Sequence, residues 1–177
     1  MNLHKNKTKV LLSNALIDLL ENKNFEQIKL NEICEKAMVH KTTFYNHFED
    51  KYDLLNYVIK NLEKNIICKV KNNTNIINYY LDISTCFIKS IKNNSNFYQK
   101  ILNNQNGICK NIIYNSFILN FKEIIKDNKI SIPINYISIF YVNAIFSIII
   151  EWVSTGMKES EDDLINYIKK LVTYDLY

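Results

Sequence analysis

The sequence has very few of the residues that tight turns require, since its 177 residues include two glycines and one proline. β-Hairpins and phosphate-binding loops depend on such residues, so the composition argues against a β-sandwich, a β-barrel or a glycine-loop nucleotide fold. Hydrophobic residues make up 47% of the chain and charged residues 23%, which is typical of a globular domain. We therefore expect an almost entirely α-helical protein.

Arginine is absent, and all 22 basic residues are lysines. The chain therefore has no guanidinium group for bidentate binding of a carboxylate, a phosphate or a guanine. The excess of lysine, asparagine and isoleucine is typical of a genome with low G·C content. The formal net charge is +4, and residues 1–71 carry +3 of it.

The cysteines are few and far apart, without a C-x-x-C pair or a cluster of cysteine and histidine. This spacing predicts neither a zinc site nor a disulfide framework. We expect no metal ion, no cofactor and a reducing, cytoplasmic location. The four positions are Cys34, Cys68, Cys86 and Cys109.

No membrane-spanning segment is expected. The first ten residues, MNLHKNKTKV, lack the apolar core of a signal peptide. The longest apolar run, residues 137–150, is shorter than the roughly 20 residues that cross a bilayer and contains Ser138, Asn143 and Ser147. We expect this run to form a buried helix.

Apolar residues recur at helical spacing along the whole chain, without an internal repeat or a flexible interdomain linker. Two residues are typical helix N-caps, Asp50 and Ser160. Asp53 follows Asp50 three residues later, and three acidic residues directly follow Ser160. Pro133 is placed to open a helix and Gly156 to end it. The pattern predicts about nine helices, over residues 8–21, 30–37, 41–48, 50–66, 76–91, 97–102, 108–126, 133–155 and 161–173.

Two of these helices, residues 30–37 and 41–48, are very short and are joined by three residues. Isolated helices shorter than about 12 residues are marginal, so tertiary contacts must hold both. Their dimensions are those of a helix-turn-helix, whose second helix enters the major groove of DNA. Phe44 and Phe48 form the buried side of that helix. The side chains that point elsewhere and can reach bases or phosphates are Lys41, Thr42, Tyr45 and Asn46.

The second short helix also begins with the wrong charge for its dipole, because His40 and Lys41 occupy its start and no acid follows until Glu49. One explanation is an external anion such as phosphate. The other is a solvent-exposed helix end in a lysine-rich chain, and charge alone does not decide between them.

Residues 25–55, and above all the run TFYNHFEDK from Thr43 to Lys51, resemble the N-terminal DNA-binding region of the tetracycline-repressor (TetR) family of bacterial regulators. The segment FSIIIEWVSTG, residues 146–156, is similar to the dimerisation helix of that family. The chain departs from the family pattern at Lys29, where a capping threonine is usual, at Met38, where the turn glycine is usual, and at His40, where a capping serine is usual. If Met38 takes the positive φ that this glycine usually has, the strain is about 1 kcal/mol or more.

The resemblance implies an all-α protein with a helix-turn-helix DNA-binding domain over residues 1–50 and a helical regulatory and dimerisation domain over residues 51–177. Lys41, Thr42, Tyr45 and Asn46 would face the major groove. Asn31 would reach an adjacent base or phosphate. The residues that would bind backbone phosphates are Thr43, Tyr45, His47 and Lys51.

The resulting hypothesis is a ligand-responsive repressor that binds a palindromic operator in double-stranded DNA as a homodimer. Helices 133–155 and 161–173 carry more apolar surface than a single core uses, so two copies are expected to pack as a four-helix bundle. The residues concerned are Phe140, Phe146, Ile148, Ile149, Trp152, Leu164, Ile168 and Leu171. Either core packing or a pocket for a small apolar or aromatic effector explains the aromatic middle helices, with candidate lining residues Tyr80, Phe87, Tyr114 and Phe117.

Three alternatives remain open at the level of the sequence. The chain would be an activator, a regulator controlled by a protein partner, or a protein-binding helical module that has lost DNA binding. A helical enzyme is disfavoured, because no nucleophile–base pair or set of convergent carboxylates stands out in the sequence.

Overall fold

A computed structural model describes residues 2–67, 76–102, 107–127 and 130–173 of the chain. These residues form nine α-helices and one short 3₁₀ turn, Phe25–Gln27, and contain no β-strand, which confirms the predicted all-α fold. The helices are α1 Asn2–Leu20, α2 Leu30–Lys36, α3 Lys41–Tyr45, α4 Lys51–Ile67, α5 Ile76–Asn93, α6 Ser95–Leu102, α7 Ile108–Ile125, α8 Ile134–Ser154 and α9 Glu161–Thr173.

Two helices differ from the prediction by three or more residues at one end. Helix α1 begins at Asn2 instead of residue 8. Helix α3 ends at Tyr45 instead of Phe48, because the N–H of His47 donates to the carbonyl of Phe44 at 2.9 Å and tightens the last turn. The chain is thereby redirected toward the start of α4.

The predicted helix caps are present. Asp50 accepts hydrogen bonds from the backbone N–H groups of Tyr52 and Asp53, both at 2.8 Å, through one carboxylate oxygen. The carboxylate of Asp53 in turn accepts from the N–H of Glu49 at 3.2 Å. Ser160 accepts from the N–H of Asp163 at 3.1 Å. These bonds satisfy N–H groups that have no partner within the helix and fix where α4 and α9 begin.

Helix α4 connects the two parts of the chain. It packs against α1 as well as against α5 and α7. Its buried residues Leu54, Leu55 and Val58 belong to the same continuous core as α1 and α2 on one side and α5 to α9 on the other. A displacement of α4 would therefore change the packing on both sides of this core.

Helix α8 is apolar on more than one face. Val142, Ile145 and Trp152 are buried, whereas Tyr136 and Phe140 are exposed. The apolar run identified in the sequence lies within a helix of 21 residues, which by length and composition alone is sufficient to cross a membrane; core helices of soluble proteins meet the same criterion. Gly156, at φ 84°, ends the helix as predicted.

The expected surplus of apolar surface on α8 and α9 is divided between core and surface. Phe146 and Ile148 are partly buried, and Phe140 and Leu171 are exposed at 60% and 50%. The other four residues lie in the core of the chain itself and are not available to a partner: Ile149, Trp152, Leu164 and Ile168.

The described cysteines, Cys34, Cys86 and Cys109, form no disulfide, and no cluster of metal-ligating side chains occurs among the described residues. Cys68 lies outside the described part of the chain.

Candidate functional site

The turn between α2 and α3 is a helix-ending motif with a methionine in the position that glycine usually takes. Met38 has φ 53°, in the left-handed region, so the turn keeps the geometry of the family's glycine. The N–H of Val39 donates to the carbonyl of Cys34 at 2.9 Å, and the N–H of Met38 donates to that of Glu35 at 3.1 Å. This pair of bonds is the Schellman pattern and fixes the angle between the two helices.

Helix α3 has too few residues to be stable alone, and its aromatic side anchors it. Phe44 and Phe48 are buried, with ring centroids 5.7 Å apart, as the sequence predicts. Phe48 also packs on Tyr57 of α4 at 5.5 Å. The opposite side of α3 must therefore face solvent.

The structure places the residues predicted for the major groove on this solvent side. Lys41, Thr42, Tyr45 and Asn46 are all exposed. His40 caps the helix without a side-chain hydrogen bond, and no acidic residue lies in its first turn. Lys41 forms no ion pair with any described residue, so its ammonium group is available to an anion.

Asn31 lies close to the start of α3 although it belongs to α2. It borders an open groove together with Met38, His40 and Lys41. Asn31 is exposed, whereas Thr43 and His47 are partly buried on the flanks of α3. The structure thus brings together seven of the eight predicted residues around one surface, which we name the α3 face: Asn31, Lys41, Thr42, Thr43, Tyr45, Asn46 and His47.

Lys51, the eighth residue, is placed differently from the expectation. Its ammonium group donates to the backbone carbonyls of Phe25, Glu26 and Ile28 at 3.0, 3.1 and 3.0 Å. It also lies 4.8 Å from the centroid of the Phe25 ring. Three acceptors match its three N–H donors, so in this conformation Lys51 ties α4 to the loop before α2 and has no free N–H for a phosphate.

The start of α2 is stabilised without the usual threonine. The carboxylate of Glu32 accepts from the backbone N–H of Lys29 at 2.9 Å and forms an ion pair with Lys23. The hydrogen bond from Lys23 is the main reason that the pKa of Glu32 lies below its ordinary value. Glu32 therefore holds the backbone at Lys29 in place, although no side chain caps the helix itself.

A second site lies inside the helical half, between α4, α5 and α7. Three of the four predicted aromatic residues, Tyr80, Phe87 and Phe117, line one cavity there. The rings of Phe87 and Phe117 are 4.3 Å apart. The fourth, Tyr114, does not line this cavity; it borders an open groove on the surface and packs on Phe146 at 5.6 Å.

The cavity also contains a buried carboxylate that sequence reasoning missed. Glu63 of α4 is 4% exposed. One of its oxygens, Oε2, accepts from the hydroxyl of Ser116 and from the side-chain amide of Asn120, the latter at 2.9 Å. Its other oxygen, Oε1, is buried and has no hydrogen-bond partner among the described residues.

Burial raises the pKa of Glu63 to about 7, while the hydrogen bonds from Ser116 and Asn120 act in the opposite direction. Burial likewise raises the pKa of Tyr80, so its phenol stays protonated at neutral pH. Helical periodicity gives no signal for such a cluster, because its three polar residues come from two helices more than fifty positions apart. An acid at a position facing the core of α4 was the only available hint.

Comparison with known proteins gives two family matches that together cover most of the chain. Residues 12–58 match the model of bacterial regulatory proteins of the tetR family. Residues 78–174 match the model of a transcriptional regulator C-terminal region, TetR_C_8. Neither match includes residues 59–77, which contain the second half of α4 with Glu63.

One curated relative is the HTH-type dhaKLM operon transcriptional activator DhaS of Lactococcus lactis subsp. lactis (strain IL1403), which is 26% identical over 94 residues. This alignment includes 53% of the present chain and spans about half, 48%, of the relative.

Solved structures share the fold at low sequence identity. The dihydroxyacetone kinase operon activator DhaS has a TM-score of 0.65 at 21% identity, with 96% of both chains covered. A TetR transcriptional regulator from Streptococcus agalactiae 2603V has a TM-score of 0.66 at 21% identity, covering 97% of this chain and 96% of its own. FadR from Bacillus subtilis, in complex with stearoyl-CoA, has a TM-score of 0.66 at 16% identity, covering 95% and 99%.

Proposed function

Since the chain belongs to the tetR family of bacterial regulatory proteins, and is thus a transcriptional regulator, we propose that it binds a palindromic operator in double-stranded DNA as a homodimer and releases it when a small molecule binds. The α3 face carries this proposal. It combines an exposed row of hydrogen-bonding side chains with two buried phenylalanines that hold the row in place.

The chemistry of the α3 face suits DNA. Asn46 can pair with adenine, Thr42 offers a hydroxyl and a methyl group, and the unpaired ammonium of Lys41 can bind a phosphate or a guanine. We propose that Asn31, Thr43, Tyr45 and His47 contact neighbouring bases or phosphates. Lys51 is not part of this proposed interface, because its three N–H donors bind backbone carbonyls between α1 and α2. Helices α1 to α3 form what we call the DNA-binding head.

The proposed dimer uses the exposed apolar side chains of α8 and α9. Tyr136, Ile139 and Phe140 of α8 and Tyr167 and Leu171 of α9 are each about half exposed or more. Packing α8 and α9 against the same helices of a second copy would bury them in a four-helix bundle. A two-fold dimer presents two α3 faces, so its operator is expected to be an inverted repeat.

The proposed switch uses α4. The cavity that contains Glu63 lies on this helix, and Lys51 at its other end holds the DNA-binding head. A ligand that displaces α4 would change the spacing of the two heads. A hundredfold loss of operator affinity requires about 2.7 kcal/mol of coupling, and by linkage the operator must weaken the ligand by the same factor. FadR of Bacillus subtilis, solved with stearoyl-CoA, supports a ligand in this fold.

A second candidate is transcriptional activation, and the similarity to the activator DhaS favours it. The α3 face and the dimer are the same in both candidates. They differ in what the bound regulator does to transcription, and an activator controlled by a protein partner would need no small-molecule effector. In either case the proposed site of action is the cytoplasm, where bacterial DNA is found.

The experiment that tests the proposal measures affinity for a selected duplex at several salt concentrations. Lys41→Ala should lower the slope of log K against log salt by about two, because each dimer carries two copies of Lys41 and loses two phosphate contacts. Lys51→Ala should leave the slope unchanged but destabilise the head by about 2 kcal/mol, since three carbonyl acceptors lose a charged donor. Lys89→Ala, on the exposed side of α5, is the control that should change neither.

Binding that ignores salt and sequence, or equal slopes for Lys41→Ala and Lys89→Ala, would contradict the assigned DNA-binding role of the α3 face. A reduced slope for Lys51→Ala would mean that Lys51 binds a DNA phosphate after all.

A further inference from the structure

The cavity between α4, α5 and α7 contains one polar atom whose hydrogen-bonding capacity is unused. Both donors that reach Glu63, from Ser116 and Asn120, go to Oε2, and Oε1 is left buried without a partner among the described residues. An unsatisfied buried carboxylate oxygen costs free energy, so native proteins usually provide such an atom with a donor. Here the donor must come from outside the described residues.

The surroundings of Oε1 define what kind of donor fits. Apart from Glu63 and Asn120, the cavity walls are apolar or aromatic and include Tyr80, Ile83, Phe87 and Phe117. A carboxylate accepts hydrogen bonds only, and no described lysine forms an ion pair with Glu63. A cationic N–H donor would satisfy the oxygen and also offset the buried charge.

We propose that this cavity binds a small apolar or aromatic molecule that carries a protonated amine, and that Oε1 of Glu63 accepts a hydrogen bond from the amine. The inference rests on the proposed function, because it names the effector class of the same regulator. It narrows the effector from any apolar compound to an amine with an apolar body, with the Phe87–Phe117 pair as the contact surface for that body.

The ligand-free cavity has room for only about one water molecule, so a larger ligand must push lining side chains apart. Phe117 and Ile124 of α7 are partly buried, unlike the fully buried Phe87 of α5. We therefore expect the ligand to displace Phe117 and Ile124 rather than Phe87. Because Glu63 belongs to α4, an amine bound to it acts directly on the helix that carries the DNA-binding head.

Binding should also depend on pH, since the pKa of Glu63 is about 7. A cation binds the charged carboxylate, so its affinity should be nearly constant above pH 7 and fall as pH falls below 7. The groups that face Glu63 do not cancel this pH dependence. Ser116 and Asn120 on α7 carry no charge, and burial raises the pKa of the phenols of Tyr80 on α5 and Tyr98 on α6, so both stay neutral at these pH values. The charged neighbour is Lys60 on α4, which is exposed to solvent.

The test compares three probes of nearly equal size, benzylammonium, benzyl alcohol and toluene, by ligand-observed NMR titration of the whole chain at pH 8 and pH 6. Benzylammonium should bind more tightly than either neutral probe at pH 8 and lose about tenfold in affinity at pH 6, in step with the charged fraction of Glu63. The affinity of toluene should be the same at both pH values.

A matched variant isolates the carboxylate. Glu63→Gln keeps the shape and an acceptor for Ser116 and Asn120 but removes the charge, so benzylammonium should lose about tenfold or more in affinity and its pH dependence, while toluene binds as before. Because the pH comparison uses the unmodified chain, it stands even if the variant folds poorly.

The inference is overturned if benzylammonium does not bind the unmodified chain at pH 8, as expected if a water molecule alone occupies the cavity. It is also overturned if all three probes bind alike, or if Glu63→Gln binds benzylammonium unchanged. Binding of duplex DNA by the unmodified chain, measured without any probe, tests the proposed function separately. If the chain binds DNA but not benzylammonium, the proposed amine effector is wrong and the proposed DNA-binding function stands.

Discussion

Met38 holds a conformation that costs most amino acids free energy, and it does so at the centre of the helix-turn-helix. Its φ is 53°, and its side chain is 94% exposed, so no packing offsets the strain. The two Schellman hydrogen bonds around it impose this conformation. These bonds therefore keep Met38 in its strained conformation. Its exposed side chain borders the groove that Lys41 also lines.

Replacing Met38 by Gly should stabilise the protein by about 1 kcal/mol, because glycine adopts a positive φ without strain and no buried contact is lost. Urea unfolding followed by circular dichroism measures the change. Met157 is the matched comparison, since its φ is 56° but its side chain is only 6% exposed. Met157→Gly should destabilise, because it removes buried apolar area. A loss of stability in Met38→Gly would show that the methionine side chain contributes contacts in the turn.

Glu63 should make the protein less stable as pH rises. Its pKa is raised from 4.5 to about 7 in the folded chain. Between these values the unfolded chain has released the proton and the folded chain has not, so stability falls with increasing pH across this window and is constant above it. Glu63→Gln lacks this dependence. The difference in unfolding free energy between variant and unmodified chain should grow by roughly 2 to 3 kcal/mol from pH 5 to pH 8.

Urea titrations of both proteins at pH 5, 6, 7 and 8 check this prediction. Parallel curves over the whole range would mean that Glu63 has an ordinary pKa in the folded chain, and hence that its environment is more polar than the buried cluster indicates.

At the scale of helices, α8 and α9 leave apolar side chains on the surface. Phe140 and Leu171 are exposed, whereas Ile168, one residue among those expected from the sequence to contribute to the interface, is 2% exposed and belongs to the core of the single chain. A charge at Ile168 would unfold the chain and reveal nothing about assembly. The exposed residues are the ones to change.

Leu171→Glu should convert the dimer into a monomer without unfolding it, since a charge would be buried against the apolar surface of the partner. Sedimentation velocity measures the mass, and circular dichroism confirms the helices. Leu119→Glu is the control, because Leu119 is also an exposed apolar residue but lies on α7. A Leu171→Glu variant that remains dimeric would place the interface elsewhere.

How far the sequence predicts these elements depends on whether the deciding interactions are local. The caps at Asp50 and Ser160 and the buried pair Phe44 and Phe48 follow from neighbours within four positions, and all were predicted. The carbonyl contacts of Lys51 and the cluster around Glu63 join residues 23 to 57 positions apart. Local periodicity contains no information about such pairs, so the sequence predicts neither the carbonyl contacts of Lys51 nor the cluster around Glu63.

At the scale of the whole molecule, one continuous core joins the DNA-binding head to the cavity-bearing half. Helix α4 takes part in both, with Lys51 binding the head and Glu63 lining the cavity. This continuity lets binding in one half alter the other, because packed helices shift as units. In this two-part molecule, the α3 face is the surface proposed to read the DNA sequence.

Selection of bound duplexes from random-sequence DNA, run in parallel with the unmodified chain and with Asn46→Ala, tests that claim most directly. The unmodified chain should enrich an A·T-rich inverted repeat with half-sites about one helical turn apart, because the chain has no arginine to read guanine and Asn46 suits adenine. Asn46→Ala should lose the preference at the same position in both half-sites. Enrichment of no sequence, of G·C-rich half-sites, or of the same sequence by both proteins would contradict the account.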